Sequence, residues 1–524
     1  MDTIPRFPAK SAVAPPCSDR SPSVADRAWA MDRRSSRGSR AGSKAAAPRG
    51  CGRLRILRAA GERSEDTMAW IRLIRLEFAR VIRSGGVAAA LLLLLGLGVY
   101  ASWQGSLRIQ AAEAATAAAE TAYRDQLAYL SATYPPATEA GEPLYYLAFP
   151  APQPPSPLSA LASGRTAVET ASLRIRLLAL EGQLYEHETL NPRLAAAGHL
   201  DLAFVLIALL PLFVIAVTYD IVSSERERGT WRMARLFARP RRLIAAKVAA
   251  RVVLAAGLVT SLALIGAFST GTDADGRAGW AVALIALHTL FWFALCLGVA
   301  GGRRSSTTNA MILVGVWVAL TFLAPAVLSL TNALLHPVPE ALELTVRQRQ
   351  GYHEAWDLPK AATMEGFFED YPQWSDQTVP EDEFTWAWYY AMNHRGDQTA
   401  RDASRAYRDV LTQRDEWARR WSLLVPPLAT QIALDRLSSA DLRTQLAYQE
   451  AVRGYHERLK AHFQPLLFSA APFTQVDWDR VPTFEPAVPA GEAPQAGLPA
   501  AAALILVSIG VLLPRIRSRP SPDS

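Results

Sequence analysis

Residues 202–219, LAFVLIALLPLFVIAVTY, are followed almost at once by residues 223–242, SSERERGTWRMARLFARPRR. The first stretch has no charged side chain and is long enough to cross a hydrocarbon core of about 30 Å as a helix. The second stretch carries seven arginines and two glutamates. A spanning helix that leads directly into a mixed-charge segment predicts a membrane protein whose charged segment has a partner outside the bilayer.

Five other apolar runs have a similar length. The six runs are residues 85–103, 202–219, 252–269, 278–300, 311–330 and 498–513. Because backbone polar groups cannot remain unpaired in lipid, each run is expected to form a helix. The predicted fold class is therefore an all-α polytopic membrane protein with six transmembrane helices.

The charges between the runs predict an orientation. Residues 220–251, the turn GGRRSSTTN at 301–309 and the tail at 514–524 are basic, whereas the long segments 104–201 and 331–497 are acidic on balance. Basic short loops stay on the cytoplasmic side. We therefore expect both termini to be cytoplasmic and the two large insertions to be extracytoplasmic. The net charge of +7 then reflects topology, and no nucleic-acid partner is expected.

The chain before the first run divides into two parts. Residues 1–67 are rich in Arg, Ser, Ala, Gly and Pro without apolar periodicity, which predicts a disordered extension or a mis-annotated start with translation beginning at Met68. Residues 68–84 have apolar side chains on one helical face and arginines on the other. This pattern predicts an amphipathic helix in the inner interface, with a surface helix of a soluble domain as the alternative.

The two insertions are expected to form one helical extracytoplasmic domain. Strong helix formers after residue 103 predict that the first span continues outward, and further helices are expected at 166–185, 340–356, 401–424 and 440–463. The aromatic patch FTWAWYYAM at 384–392 is expected to pack against the outer membrane interface, with a ligand groove as the alternative.

No catalytic motif is found in the sequence. The histidines lack a metal-ligand spacing, and none of the five lysines stands in a phosphate-binding loop. We therefore expect no enzyme activity, metal or cofactor in this chain, and any energy from ATP must come from a partner protein.

The charged segment after the second run is expected to form a rigid knob. Ser224 and Glu227 have the spacing of a capping box, and Gly229 with Thr230 permits a break before a second turn. That turn would carry Arg232 and Arg235 on one face. Such a knob is suited to a cleft in a cytosolic protein, and a simple topological anchor is the alternative.

The order of these features resembles a known family. The interfacial stretch IRLEFARVIRS at 74–84, a span, a large insertion, a second span ending in YDIVSSERERGTWRMARLFARPRRLIAAK at 219–247 and two closely spaced spans are similar to permease subunits of ABC-2 type exporters. The resemblance implies a separate ATPase subunit that binds ATP, and pairing with a second copy or a sister permease. It also implies an ATPase-coupling loop, which would comprise Glu225, Arg226, Glu227, Arg228, Gly229, Thr230, Arg232 and Arg235.

A second resemblance lies in the larger insertion. Residues 425–463, VPPLATQIALDRLSSADLRTQLAYQEAVRGYHERLKAHF, are similar to bacterial permeases that carry the DUF3526 domain. The expected function is the membrane subunit of an ABC-2 type exporter. Two alternatives stay open: a complex that transmits force to an extracytoplasmic client without transport, and a membrane sensor or scaffold.

Overall fold

The computed structural model describes residues 68–167, 170–185, 200–231, 233, 236, 240–270, 276–338 and 340–486. The predicted extension at 1–67, the sixth span at 498–513, the tail at 514–524 and the two loop residues Arg232 and Arg235 lie outside these residues. The described part is mostly helical.

The helices are numbered here in chain order. They are α1 (68–82), α2 (Gly85–Thr133), α3 (Gly141–Tyr146), α4 (Leu180–Tyr185), α5 (Leu202–Phe204, Val205–Leu209 and Leu210–Thr218 in succession), α6 (Ser223–Glu227), α7 (Pro240–Thr270), α8 (Arg277–Ala300), α9 (Ser306–Val318, Ala319–Leu323 and Ala324–Leu335 in succession), α10 (Glu340–Asp357), α11 (Lys360–Asp370), α12 (Trp386–Ser422), α13 (Pro426–Leu437) and α14 (Leu442–Phe468). Two short strands are β1 (Phe149–Pro152) and β2 (Ser172–Ile175).

Five helices in the described part are long and apolar enough to cross a membrane. They are Gly85–Thr133, Leu202–Glu227, Arg242–Gly266, Arg277–Ala300 and Ser306–Leu335. They coincide with the first five predicted apolar runs, so the chain is a multi-pass membrane protein. We call the end of these helices that carries α1 and α6 the proximal face, and the opposite end the distal face.

Two of the spanning helices contain a π-helical turn. The turn in α5 is Val205–Leu209 and the turn in α9 is Ala319–Leu323. Each turn is followed within two residues by a proline, Pro211 or Pro325. Proline has no N–H to donate to the preceding helical turn, so backbone carbonyl groups become available at these points. In α5, side chains of neighbouring helices contact these carbonyl groups, as described below.

The distal half of α2 supports a folded distal domain. α2 has 49 residues, about 70 Å of helix, and extends well beyond the membrane. Its Leu130 belongs to one hydrophobic core with Phe149, Ile175, Tyr455 and Phe463. Chain on both sides of the second to fifth spans thus contributes to a single core, and the expected outward continuation of the first span is found.

The predicted helix at 166–185 is wrong. Residues Ser172–Ile175 form β2, which pairs antiparallel with β1 and places Phe149 opposite Ile175. Leu173 and Ile175 are buried and the residue between them is exposed, which is the period of a strand. Among the described residues of the predicted range, only Leu180–Tyr185 are α-helical. The pairing overrides the local helix propensity because it buries two apolar side chains in the core.

The aromatic patch at 384–392 does not pack as expected. Trp388 is buried in a cluster with Met364, Phe367 and Met392, and its ring meets that of Trp356 edge-on at 5.2 Å. The patch lies at the start of α12. Arg414, 28 residues after the first residue of this helix and thus about 42 Å away along it, binds the distal end of α9. Trp388 and Tyr390 of the patch therefore stabilise the interior of the distal domain, whereas Phe384 is exposed.

Helix α13 is the main link between the distal domain and the spanning helices. Ala433, Leu434 and Leu437 are buried in the same core cluster as Leu206 and Leu284 of the second and fourth spans. The helix begins with two prolines, which are pre-organised for a first helical turn. The sequence analysis placed this segment wholly in the distal domain, whereas the structure packs it against the spans.

Candidate functional site

The predicted coupling loop begins where α5 leaves the apolar region. α5 ends at Thr218, a turn covers residues 219–222, and the short helix α6 occupies Ser223–Glu227. Within α6 the side chain of Glu225 points inward and is only 10 % exposed. The remaining residues of the loop divide into those that contact this chain and those that face outward.

Glu225 is the centre of a buried ionic cluster. Its carboxylate binds the ammonium group of Lys247 in α7, and Arg80 of α1 lies 3.8 Å away. Arg80 is also 3.8 Å from Glu77, which in turn lies 3.9 Å from Arg251 of α7. The cluster thus joins the interfacial helix, α6 and the start of the third span.

The cluster is well shielded from water at its core. The side chain of Lys247 is 4 % exposed, that of Arg251 is 10 % exposed and that of Glu77 is 12 % exposed. Arg251 also donates to the carbonyl oxygens of Val217 and Lys247, so the guanidinium bridges the second and third spans. Buried charges are tolerated only when they are paired in this way.

Glu227 does not form the predicted capping box. Ser224 Oγ donates to the carbonyl of Asp220, and α6 has no side-chain cap. The carboxylate of Glu227 instead accepts hydrogen bonds from the backbone N–H of Ser306 at 2.6 Å and from its hydroxyl at 2.9 Å. Glu227 therefore binds the amino end of α9, where a negative charge is favoured by the helix dipole.

Arg226 adds a second contact to the same region. Its guanidinium donates to the carbonyl of Gly302 at 2.8 Å and lies 6.0 Å from the ring of Trp231. Gly302 belongs to the turn between the fourth and fifth spans. The three side chains of Glu225, Arg226 and Glu227 thus fix the loop after α5 to α1, to α7, to the turn between the fourth and fifth spans and to α9, which leaves little freedom for independent movement.

Arg228, Gly229 and Thr230 form the exposed tip of the loop. All three are exposed, and Gly229 has a φ angle of +71°. That angle is unfavourable for any residue with a Cβ atom. Met233 and Leu236, which follow the tip, are 64 % and 82 % exposed. Exposed apolar side chains beside an exposed charge are typical of a protein-binding surface.

The structure therefore separates the predicted site residues into two groups. Glu225, Arg226 and Glu227 act as internal anchors, whereas Arg228, Gly229 and Thr230 are available to a partner. The sequence analysis missed the partners Glu77, Arg80, Lys247, Arg251 and Ser306. Charged residues at the borders of apolar runs were a signal that could have found the first four.

A second polar cluster lies within the spanning helices. Trp292 Nε1 donates to His288 Nε2 at 3.1 Å, and His288 Nδ1 is 3.4 Å from the hydroxyl of Thr430 in α13. The hydroxyl in turn donates to Pro426 O at 2.8 Å, so His288 Nδ1 is the donor to Thr430. His288 is buried and its ring also lies 3.3 Å from the carbonyl oxygen of Ile207 in the π turn of α5.

A neighbouring contact completes this cluster. Trp317 of α9 donates its indole N–H to the carbonyl of Ala208 at 2.8 Å. One carbonyl group of the π turn of α5 is therefore bonded by a side chain of the fifth span, whereas His288 Nε2, which accepts from Trp292, does not donate to Ile207 O. The cluster packs the second, fourth and fifth spans against one another and against α13.

The distal domain holds a third group of polar residues around His394. His394 Nε2 lies 2.7 Å from Asp370 Oδ2, and Lys460 Nζ lies 3.3 Å from the other ring nitrogen. Burial, followed by the adjacent Lys460 charge, lowers the pKa of His394 to about 4. No group of three or more potential metal ligands is found among the described residues.

Comparison with known proteins identifies one region. Residues 342–487 match the family model of a domain of unknown function, DUF3526. The match confirms the DUF3526 resemblance, and it covers α10 to α14, including the buried helix α13. The search of curated proteins found no match to the chain.

Proposed function

We propose that this chain is the membrane subunit of an ABC-2 type exporter, and that a separate ATP-binding-cassette subunit binds and hydrolyses ATP. The order of interfacial helix, span, distal segment and charged loop supports the proposal. None of the lysines in the sequence stands in a phosphate-binding loop, so the ATPase activity is assigned to the partner.

The observation that carries the proposal is the ionic cluster around Glu225. It ties the exposed tip at Arg228–Thr230 to α1, α5 and α7 through buried charges. A force applied to the tip by an ATPase would move these helices together, because the anchors leave no flexible connection between them. An exposed tip on a rigid base is the arrangement that a coupling element requires.

The proposed topology follows the positive-inside rule. The proximal face is cytoplasmic, the distal domain is extracytoplasmic, and the chain lies in a bacterial inner membrane with both termini inside. Pairing with a second copy or a sister permease is part of the proposal. Met311, Val327 and Leu330 of α9 are each more than 60 % exposed in a single chain, so this helix has apolar surface for lipid or for such a partner.

Affinity purification from native membranes tests the coupling assignment. We expect the parent chain to recover a polypeptide with a phosphate-binding loop and ATPase activity. An Arg228→Glu variant should recover at least tenfold less of it, because the charge at the tip is reversed. Arg72→Glu is the matched control, since Arg72 is an exposed arginine of α1 outside the loop. Equal recovery with both variants would contradict the role of the tip, and no ATPase with the parent chain would favour a sensor or scaffold.

A second candidate function is transmission of force to an extracytoplasmic client without transport. The packing of α13 among the spanning helices favours it, because movement of the second or fourth span would reach the distal domain directly. Reconstitution with the ATPase distinguishes the two functions. Export predicts ATP-dependent uptake of a cargo into inside-out vesicles, whereas force transmission predicts ATP turnover with a change in the distal domain and no flux of any cargo.

A further inference from the structure

A pocket of about 450 Å³ opens beside α2 on the distal face. One wall is the face of α2 that carries Arg108, Ala111, Ala112 and Ala115, and the facing wall is the proline-rich segment at 153–157. The alanines leave the space empty because their side chains are short. The volume lies within the range of about 300–1000 Å³ that is usual for sites of small ligands.

The lining has a distinct electrostatic character. Arg108 and Arg277 both line the pocket, and none of the described lining residues is acidic. The terminal Nη2 atom of Arg108 is buried and has no hydrogen-bond partner among the described residues. The Asp201 carboxylate acts electrostatically on the guanidinium of Arg108 but does not bond Nη2. A buried guanidinium nitrogen without an acceptor is costly, so Nη2 keeps the capacity to bind an anionic oxygen.

Three of the six hydroxyl groups that line the pocket have partners within the chain. Ser159 donates to Ser156 O, Thr166 donates to Ser163 O, and Thr444 donates to Asp441 Oδ1. Their protons are therefore already used within the chain. Arg108 Nη2 remains as a donor to an anion, and the alanine, proline and Ile109 side chains of the lining favour an apolar body.

The position of the pocket agrees with an amphiphilic ligand. Arg108 lies five residues beyond Trp103, where the first apolar run ends, and thus about 7.5 Å further along the helix. Arg277 is the first residue of α8, at the distal end of the fourth span. This is the depth of the lipid headgroup layer, which adds about 5–8 Å to each side of the hydrocarbon core.

We propose that this pocket binds an anionic amphiphile, with its phosphate or carboxylate on Arg108 and its aliphatic part along the alanine face of α2. The ligand could be a membrane phospholipid or a soluble amphiphile, and both share this chemistry. The site is independent of ATPase coupling, so a negative binding result would not contradict the proposed function.

Binding to the purified full-length chain in a non-ionic detergent tests the site by native mass spectrometry. The probes are dioctanoyl phosphatidylglycerol, dioctanoyl phosphatidylcholine, octyl phosphate and inorganic phosphate. We expect one molecule of the phosphatidylglycerol or of octyl phosphate to bind at least tenfold more tightly than phosphatidylcholine, with no competition from inorganic phosphate. Binding of both anionic probes indicates a lipid source, and binding of octyl phosphate alone indicates a soluble one.

Paired variants locate the binding. Arg108→Gln should weaken binding at least tenfold, whereas Arg124→Gln should not, since Arg124 lies on the exposed part of the same helix and pairs with Glu120. Ala115→Phe should fill the pocket and abolish binding, whereas Ala117→Phe on the opposite face of α2 should not. Both alanines are exposed, so these two variants are expected to fold. Equal affinity for the zwitterionic and anionic lipids, or unchanged binding by both pocket variants, would overturn the proposal.

Discussion

Replacement of Glu225 by methionine is the perturbation that most directly tests the ionic cluster. The change leaves the ammonium group of Lys247 in a site where the side chain is 4 % exposed, with a carbonyl oxygen of Ile221 at 3.4 Å as its remaining contact. Loss of one member of a buried ion pair costs about 3–5 kcal/mol. We expect Glu225→Met to lower the free energy of unfolding by an amount in this range.

The reciprocal variant should be milder. In Lys247→Met the carboxylate of Glu225 keeps Arg80 at 3.8 Å, and the side chain of Arg80 is 57 % exposed and so partly solvated. We expect a loss of about 1–3 kcal/mol, the usual cost of a buried polar group that loses one partner. The double variant replaces both charges by apolar groups of similar volume and should recover most of the stability.

Thermal unfolding of the purified chain in detergent measures all three variants, with loss of the monodisperse peak in size-exclusion chromatography as the readout. A double-mutant cycle then gives the coupling between Glu225 and Lys247. Single variants that each cost less than about 0.5 kcal/mol would refute the reasoning, because such a value is typical of exposed ion pairs. A double variant that is worse than either single variant would refute it as well.

Three further predictions concern other parts of the chain. Gly105→Ala should destabilise the protein by about 2 kcal/mol or more in the same thermal assay, because the added Cβ would lie 2.8 Å from backbone atoms of a neighbouring turn. Gly96→Ala in the same helix is the control. Its added Cβ meets no atom within 4 Å, so this variant should be neutral or stabilising. Burial lowers the pKa of His456 to about 3. Because the unfolded chain takes up a proton at this histidine before the folded chain does, stability is lost as the pH falls from about 6.5 towards 3. His456→Gln should therefore make the urea unfolding transition less dependent on pH over that range. Trp317→Phe removes the donor to the carbonyl of Ala208 and should cost about 1–3 kcal/mol of stability, while Trp317→His, which retains a donor, should cost less.

The spanning helices could be predicted from the sequence because their signal is local. Runs such as 278–300 are apolar over the length of a span, and the environment permits few structures other than a helix. The amphipathic pattern at 68–84 similarly predicted a helix, and residues 68–82 form one. In each case the information lies within about twenty consecutive residues.

The errors arise where the decisive contact is distant in the chain. Ser224 and Glu227 have the spacing of a capping box, but Glu227 binds Ser306, which lies 79 residues further on. The strand at Ser172–Ile175 exists because it pairs with β1 across the domain. The local sequence could not distinguish a capping box from a contact with Ser306, or a helix from a paired strand, because the stabilising partner is not adjacent in the chain.

The site was predicted in part for the same reason. The charged loop was recognised from composition, yet the inward direction of Glu225 depends on Lys247 in another helix. The loop residues that contact the chain and those that face outward have similar sequence character, so only the three-dimensional arrangement separates anchors from tip.

The position of α13 has a consequence for biogenesis. This helix lies within the DUF3526 match, yet Leu434 is completely buried against residues of spans that are synthesised well before it. A ribosome therefore delivers α13 after the second and fourth spans have been inserted, and its burial depends on their prior assembly. An excised fragment of residues 342–487 would leave this apolar face in water, so aggregation of that fragment is the expected result of expressing it as a separate module.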